Sequence, residues 1–171
     1  MVVARLALVT LVTLVVQVVV ISPLSIGGGR GNLVLLVAIA AALETDAERG
    51  AIAGFAAGLV FDMLLDTPVG LSALTGTLVG WSVGTAKDSV LRDAAVIQLG
   101  LVAVASGLGT LLYAGLAVVF GVTVDPGRLP AIVAVIAVVN VVFSKPMRWA
   151  LRWAYGPEGR ARDRGPSIFR S

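Results

Sequence analysis

Gly50-Ala-Ile-Ala-Gly54-Phe55-Ala-Ala-Gly58-Leu-Val-Phe-Asp62-Met-Leu-Leu-Asp66-Thr-Pro68-Val-Gly70-Leu-Ser72-Ala-Leu-Thr-Gly76-Thr-Leu-Val-Gly80-Trp-Ser-Val-Gly84 places a small or acidic residue at every fourth position on both sides of one turn. A spacing of four keeps side chains on one face of an α-helix. Gly50, Gly54 and Gly58 make one stripe. Gly76, Gly80 and Gly84 make a second, with Ser72 one turn earlier. Asp66-Thr67-Pro68-Val69-Gly70 between them is turn chemistry. In lipid, helices gain nothing by hiding apolar surface from water, so close backbone approach by small residues governs their association. The stretch reads as two membrane helices built for close contact. Two readings stay open: the stripes zip onto each other or their neighbours, or one is an open docking face for a partner's helix.

The rest of the chain has the same character. Of 171 residues, 58% are apolar, 20 more are Gly, and 13% are charged; the mean hydropathy is +0.99. Soluble domains are about 25% charged, so this chain lacks the polar residues to cover a core and belongs in a membrane. It contains no Cys and no His. That excludes thiol nucleophiles, disulfides, Ser-His-Asp triads and Cys/His zinc sites, and no cofactor or metal is expected. A net charge of +3, dispersed along the chain, argues against nucleic acid.

Intervals free of Asp, Glu, Lys and Arg predict the helices: 6–29 with its oily part 6–21, then 31–43, 50–61 extending to 65, 67–86, 94–124 and 129–144. About 20 apolar residues cross a bilayer. The first, fourth and fifth intervals are long enough, the sixth is borderline, and the second and third are short enough to be tilted or re-entrant. The expected architecture is all-α: a polytopic bundle of about six transmembrane helices, with four crossings plus a buried hairpin as the alternative. The N-terminal run has no small-x-small cleavage site and is read as the first helix. Residues 1–155 form one transmembrane domain, and 156–171 a basic tail whose composition predicts disorder.

Six crossings put both termini on one side. That side then holds eleven of the thirteen cations: Arg5, Arg49, Lys87, Arg92, Lys145, Arg148, Arg152, Arg160, Arg162, Arg164 and Arg170. Only Arg30 and Arg128 fall opposite. Short basic loops stay inside, so both termini are expected in the cytoplasm. Trp149 and Trp153 beside Arg148 and Arg152 suit an interfacial anchor, and the tail arginines suit anionic membrane lipid.

Several polar residues interrupt this apolar background. Asp62 and Asp66 continue the first glycine stripe at the outer end of its helix. A carboxylate there either reaches the headgroups, or hydrogen-bonds inside the bundle and fixes the loop carrying Pro68 and Gly70, or serves proton or ion chemistry. Gln17, Gln98 and Asn140 suit hydrogen bonds between helices, with Asn140 deepest in its segment. Ser106, Thr110 and Tyr113 share a face of the fifth helix.

Arg49 and Gly58-x3-Asp62-x3-Asp66 coincide with the end of the CDP-alcohol phosphatidyltransferase signature, which resembles D-x2-D-G-x2-A-R-x8-G-x3-D-x3-D. The earlier positions depart: Ala41, Glu44, Thr45 and Glu48 stand where that signature has Asp, Asp, Gly and Ala. Two-metal phosphoryl transfer needs those carboxylates to hold its ions, so this enzyme reading is remote.

A second resemblance covers more of the chain. Gly54-Phe55, Gly58-Leu59, Asp62, the Pro68-Val69-Gly70 turn and the small-Leu entry to the next helix resemble the rod shape-determining protein MreD family, with Val69 in place of the common Leu. Length, helix number and tiny loops agree. The resemblance implies a non-catalytic component of the bacterial cell-elongation and peptidoglycan-synthesis machinery in the inner membrane. It implies binding to MreC, and through it links to RodA with its transpeptidase partner and to MreB. It also implies a fold similar to the substrate-binding subunit of energy-coupling-factor vitamin transporters, and a homodimer is possible.

The residues expected to form the partner-binding or structural motif are Gly54, Phe55, Gly58, Asp62, Asp66, Pro68, Gly70, Gly76, Gly80 and Asn140. The expectation is that the small-residue face and the outer 62–70 turn receive a partner's membrane helix and the segment beyond it. A small-molecule binding subunit of a transporter is the alternative. Such a pocket is expected to be polar and lined by aromatics, whereas aromatic content is 6%.

Overall fold

The computed structural model describes residues 2–21, 32–64, 69–90 and 95–161, apart from the side chains of 88–90, 95 and 157–161. The expectations for Asp66, Pro68 and the tail beyond 161 therefore lie outside the described residues. Helix α1 is Val2–Val16 and continues as one π turn, Gln17–Ile21. It is followed by α2 (Leu33–Glu44), α3 (Ala47–Leu64), α4 (Leu71–Val90), α5 (Ala95–Val119) and α6 (Leu129–Ala161). Gly156, at φ 65°, interrupts α6 in a conformation that side chains avoid. The described residues are all helical or irregular, and the chain is a polytopic helical membrane protein.

Among the described residues, three helices are long and apolar enough to cross a membrane: Val2–Ile21, Val96–Val119 and Leu129–Gly156. By contrast α2, at 12 residues, is about 18 Å long against a hydrocarbon core of about 30 Å. Its sequence, LVLLVAIAAALE, has no polar side, and a helix apolar all round seeks complete burial. Eleven of its twelve residues are buried. It forms the axis of the molecule, in contact with all five other helices. The sequence leaves this segment tilted or re-entrant; what the structure adds is that α2 is a central helix whose lack of a polar face is satisfied by neighbours on every side.

Successive helices alternate in direction. Gly50 lies at Gly80 and Gly54 at Gly76, so α3 and α4 are antiparallel. Asn140 reaches Ser106, and Arg148 reaches Gln98 at the start of α5. Arg5 on α1 meets Trp153 on α6, while Thr13 meets Met147. One end of the bundle therefore collects Arg5, Glu44, Arg49, Lys87, Gln98, Arg148 and Arg152, whereas Arg128 begins α6 at the other end. Charge-free intervals misplace several helix ends: α1 begins at Val2 ahead of Arg5, α3 starts at Ala47, α4 continues through Lys87 to Val90, and α6 runs on past Ser144 through Lys145, Arg148 and Arg152. These cations sit on helix rather than loop because long basic side chains carry their charge to the interface or to a partner.

Candidate functional site

Along the α3–α4 seam the two helices meet backbone to backbone. A methyl group added at Gly54 would lie 2.5 Å from the Gly76 carbonyl carbon, and one at Gly76 would lie 2.6 Å from the Gly54 oxygen. At Gly58 it would meet the Ser72 carbonyl oxygen at 2.5 Å, and at Gly80 the Gly50 carbonyl carbon at 2.5 Å. Gly50 and Gly54 also face Ala42 and Ala38, so α2 joins the same seam. Each glycine is opposed by backbone, which cannot rotate away.

Asp62 is the last rung of this ladder. It is 1% exposed. Its Oδ2 accepts hydrogen bonds from the amides of Gly70 (2.9 Å), Ser72 (2.9 Å) and Ala73 (3.3 Å). These belong to the unpaired N–H groups at the start of α4, where a carboxylate also opposes the positive end of the helix dipole. Gly70, at φ 102°, turns the chain into this cap in a conformation that favours glycine. A matching device starts α2: Gln17 Oε1 on the preceding helix accepts from Leu33 N at 2.8 Å, and Asn32 Oδ1 accepts from Leu35 N at 2.9 Å. In both cases the C-terminal turn of one helix supplies the acceptor that opens the next. The alternative with Asp62 in the headgroups is corrected accordingly, because the N-terminus of α4 offers that carboxylate three donors in the interior.

Asn140 sits at the α5–α6 contact. Its Nδ2 donates to Ser106 Oγ at 2.9 Å, and both residues are fully buried. Such interhelical bonds in lipid are worth roughly 0.6–1.7 kcal/mol. Thr110 donates to the Ser106 carbonyl at 2.7 Å and so bonds its own helix. Tyr113 instead borders a small cavity with Asn32, Ser72 and Thr75.

At the basic end, Glu44 closes α2 and lies between two arginines of α6. Arg148 Nε donates to Glu44 Oε1, and Arg152 Nε to Oε2 at 2.8 Å. Arg148 also donates to Gln98, and Lys87 donates to the Thr45 carbonyl at the end of α2. The network ties α2, α4, α5 and α6 together with opposite charges in contact.

Two apolar grooves flank α1, which packs on α6 and α2 and stands off α3. The larger, about 560 Å³, runs between α1 and α3. Val37 and Leu151 floor it, and Ala7, Leu11, Ile52, Ala53, Ala56 and Val60 form its walls. The other, about 320 Å³, runs between α1 and α6.

The family model of rod shape-determining protein MreD matches residues 1–151. The chain belongs to the MreD family. Comparison with curated proteins and with solved structures returned no match. Membership of the MreD family implies a role in determining rod shape, in a machinery where these membrane components are generally non-catalytic.

In this MreD-family chain, the structure brings Gly54, Gly58, Asp62, Gly70, Gly76 and Gly80 together in one seam. Phe55 lies on the opposite, exposed side of α3, and Asn140 belongs to a separate contact. The expectation of a partner helix on the small-residue face is corrected: α3 and α4 present those faces to each other, and a partner would have to part them. Sequence reasoning missed Glu44. Its signal was a lone acid ending an apolar run, with Arg148 and Arg152 one turn apart on a distant helix. It also missed both grooves, which arise from how α1 is placed.

Proposed function

We propose that this chain is a non-catalytic scaffold of the cell-elongation machinery that binds MreC by seating its membrane helix in the groove between α1 and α3. The observation carrying this reading is the groove itself: apolar, lateral, and walled in part by Ala7, Ala53 and Ala56, whose small side chains allow another backbone to come near. Links to RodA, its transpeptidase partner and MreB follow through MreC.

The engaged state of the acids supports a structural role. Asp62 holds the start of α4, and Glu44 holds two arginines. We read all six helices as crossing, with the basic end in the cytoplasm. The alternating directions and the gathering of Arg5, Arg49, Lys87, Arg148 and Arg152 at one end support this. The short α2 crosses within a protein sheath that shields both its ends.

Filling the groove tests the proposal. Ala56→Trp, alone and with Ala53→Trp, should lower recovery of MreC from native membranes by roughly tenfold or more, with insertion and thermal stability unchanged. Val104→Trp, on the exposed face of α5, should leave recovery intact. Wild-type recovery after Ala56→Trp, or loss after Val104→Trp, would place the partner elsewhere.

A further inference from the structure

Inside these helices a hydroxyl is commonly satisfied by its own backbone. Thr13, Thr75, Thr77, Ser82 and Thr110 each donate to the carbonyl four residues back. Ser72 lacks this outlet. It is the second residue of α4, and the residue four back, Pro68, precedes the helix. Ser72 is 8% exposed, and its Oγ has no hydrogen-bond partner among the described residues. Asp62 shares that state on one side. Its Oδ2 holds three amides of the α4 cap, whereas its Oδ1 is buried without a partner. Buried polar atoms in native proteins are satisfied by protein or by ordered water, and the need is sharper where lipid surrounds the molecule.

The two residues lie where α3, α4 and α5 meet. Ser72, Thr75 and Tyr113 line one small cavity, with Asn32 at its α2 side. Tyr113 is near enough to feel the Ser72 hydroxyl and the Asp62 charge, yet Ser72 Oγ makes no direct hydrogen bond to it. The space open to the centre of a water molecule there is about 10 Å³, room for one water and for no organic ligand. The hydrogen-bonding capacities also match. Ser72 and Tyr113 each have a proton to donate. Asp62 Oδ1 has only lone pairs, and so does Thr75 Oγ, whose proton goes to the Leu71 carbonyl at 2.9 Å. Two donors and two acceptors are the complement of one tetrahedral water.

We propose that this cavity binds one ordered water, which accepts from the Ser72 and Tyr113 hydroxyls and donates to Asp62 Oδ1 and Thr75 Oγ. A bare cation would draw on lone pairs alone and strand both hydroxyl protons, so the donor balance selects water. The water joins α5 to the capped start of α4. Helix α5 packs on α2, α4 and α6; through the water its hold extends to the Asp62 carboxylate at the end of α3. The site is independent of the α1–α3 groove and of any protein partner.

The test uses the full chain in detergent, mixed into heavy-oxygen water and exposed to a short X-ray pulse after increasing delays. Radicals made from a water oxidise the ring beside it, and mass spectrometry reads which oxygen isotope each ring receives. Trp149, 74% exposed, should take heavy oxygen at the first delay. Tyr113 should take light oxygen first and heavy oxygen only later, because a held water exchanges slowly with bulk. Ser72→Ala with Thr75→Val removes two of the four partners and leaves a pocket too apolar to stay wet; the Tyr113 label should be lost and the Trp149 label unchanged. No oxygen on Tyr113 in the wild type, heavy oxygen arriving there as fast as at Trp149, or a Tyr113 label in the double variant equal to the wild type would each overturn the site. A second measurement addresses a cation. The wild-type unfolding midpoint should be the same in sodium, potassium and choline chloride at equal ionic strength. A rise specific to one metal ion and abolished by Asp62→Asn would assign the cavity to that ion and overturn the proposal.

Discussion

Gly54→Ala should destabilise this protein by roughly 3 kcal/mol or more, and Gly54→Leu should prevent the α3–α4 hairpin from forming. Alanine normally favours a helix over glycine by about 1 kcal/mol, so the expected sign is opposite to the intrinsic one. The reason is space. The added methyl lies 2.5 Å from the Gly76 carbonyl carbon and 2.8 Å from Ala38 Cβ, so it faces α4 and α2 at once. Relief requires separating two helices, which removes close contacts along the whole seam. Gly58→Ala and Gly76→Ala should behave alike. Gly100→Ala and Gly115→Ala, whose added methyls meet nothing within 4 Å, should be neutral or stabilising by up to about 1 kcal/mol. Thermal unfolding in detergent measures both groups. Equal midpoints for Gly54→Ala and Gly100→Ala would show that the seam is not closed.

Asp62→Leu should cost about 3 kcal/mol, because it strands donors that one carboxylate oxygen satisfies at 2.9 Å, 2.9 Å and 3.3 Å. Asp62→Asn keeps an acceptor at the same place and should lose about 1 kcal/mol. The ordering separates capping from charge. Equal losses for Asn and Leu would mean that the negative charge, rather than the acceptor, holds the start of α4. A wild-type midpoint for Asp62→Leu would mean that water supplies those amides. The same variant should raise proteolysis or hydrogen exchange at residues 69–73 before it affects α5 or α6, since the defect begins in that turn.

The seam was legible in the sequence because its geometry demands a residue type. Two antiparallel helices in backbone contact need a small side chain once per turn on both sides, and a period of four records that. Asp62 was legible as a candidate for the same reason, since it continues the register, although spacing alone did not choose among its possible roles. The membrane class was legible from composition. The place of α2 was not, because an all-apolar segment reads alike whether lipid or protein surrounds it. The far end of α6 was cut short because charge was taken to end a helix, whereas Arg148 and Arg152 find Glu44 at a separation of more than 100 residues. Pairings at that distance, and the grooves beside α1, depend on tertiary arrangement that no local pattern carries.

That correction moves the proposed docking surface from a glycine stripe to a groove, and the absence of cysteine from the chain makes the new location directly measurable. Single cysteines at Leu11 and Ile52 in the α1–α3 groove, and at Leu78 and Val104 on the α4–α5 side, are combined with cysteines scanned along the membrane helix of MreC and oxidised in native membranes. Disulfides at Leu11→Cys and Ile52→Cys, recurring every three to four positions along the partner and absent from Leu78→Cys and Val104→Cys, are the predicted result. Cross-links confined to the α4–α5 side, or none at any position in membranes where the two proteins co-purify, would contradict it.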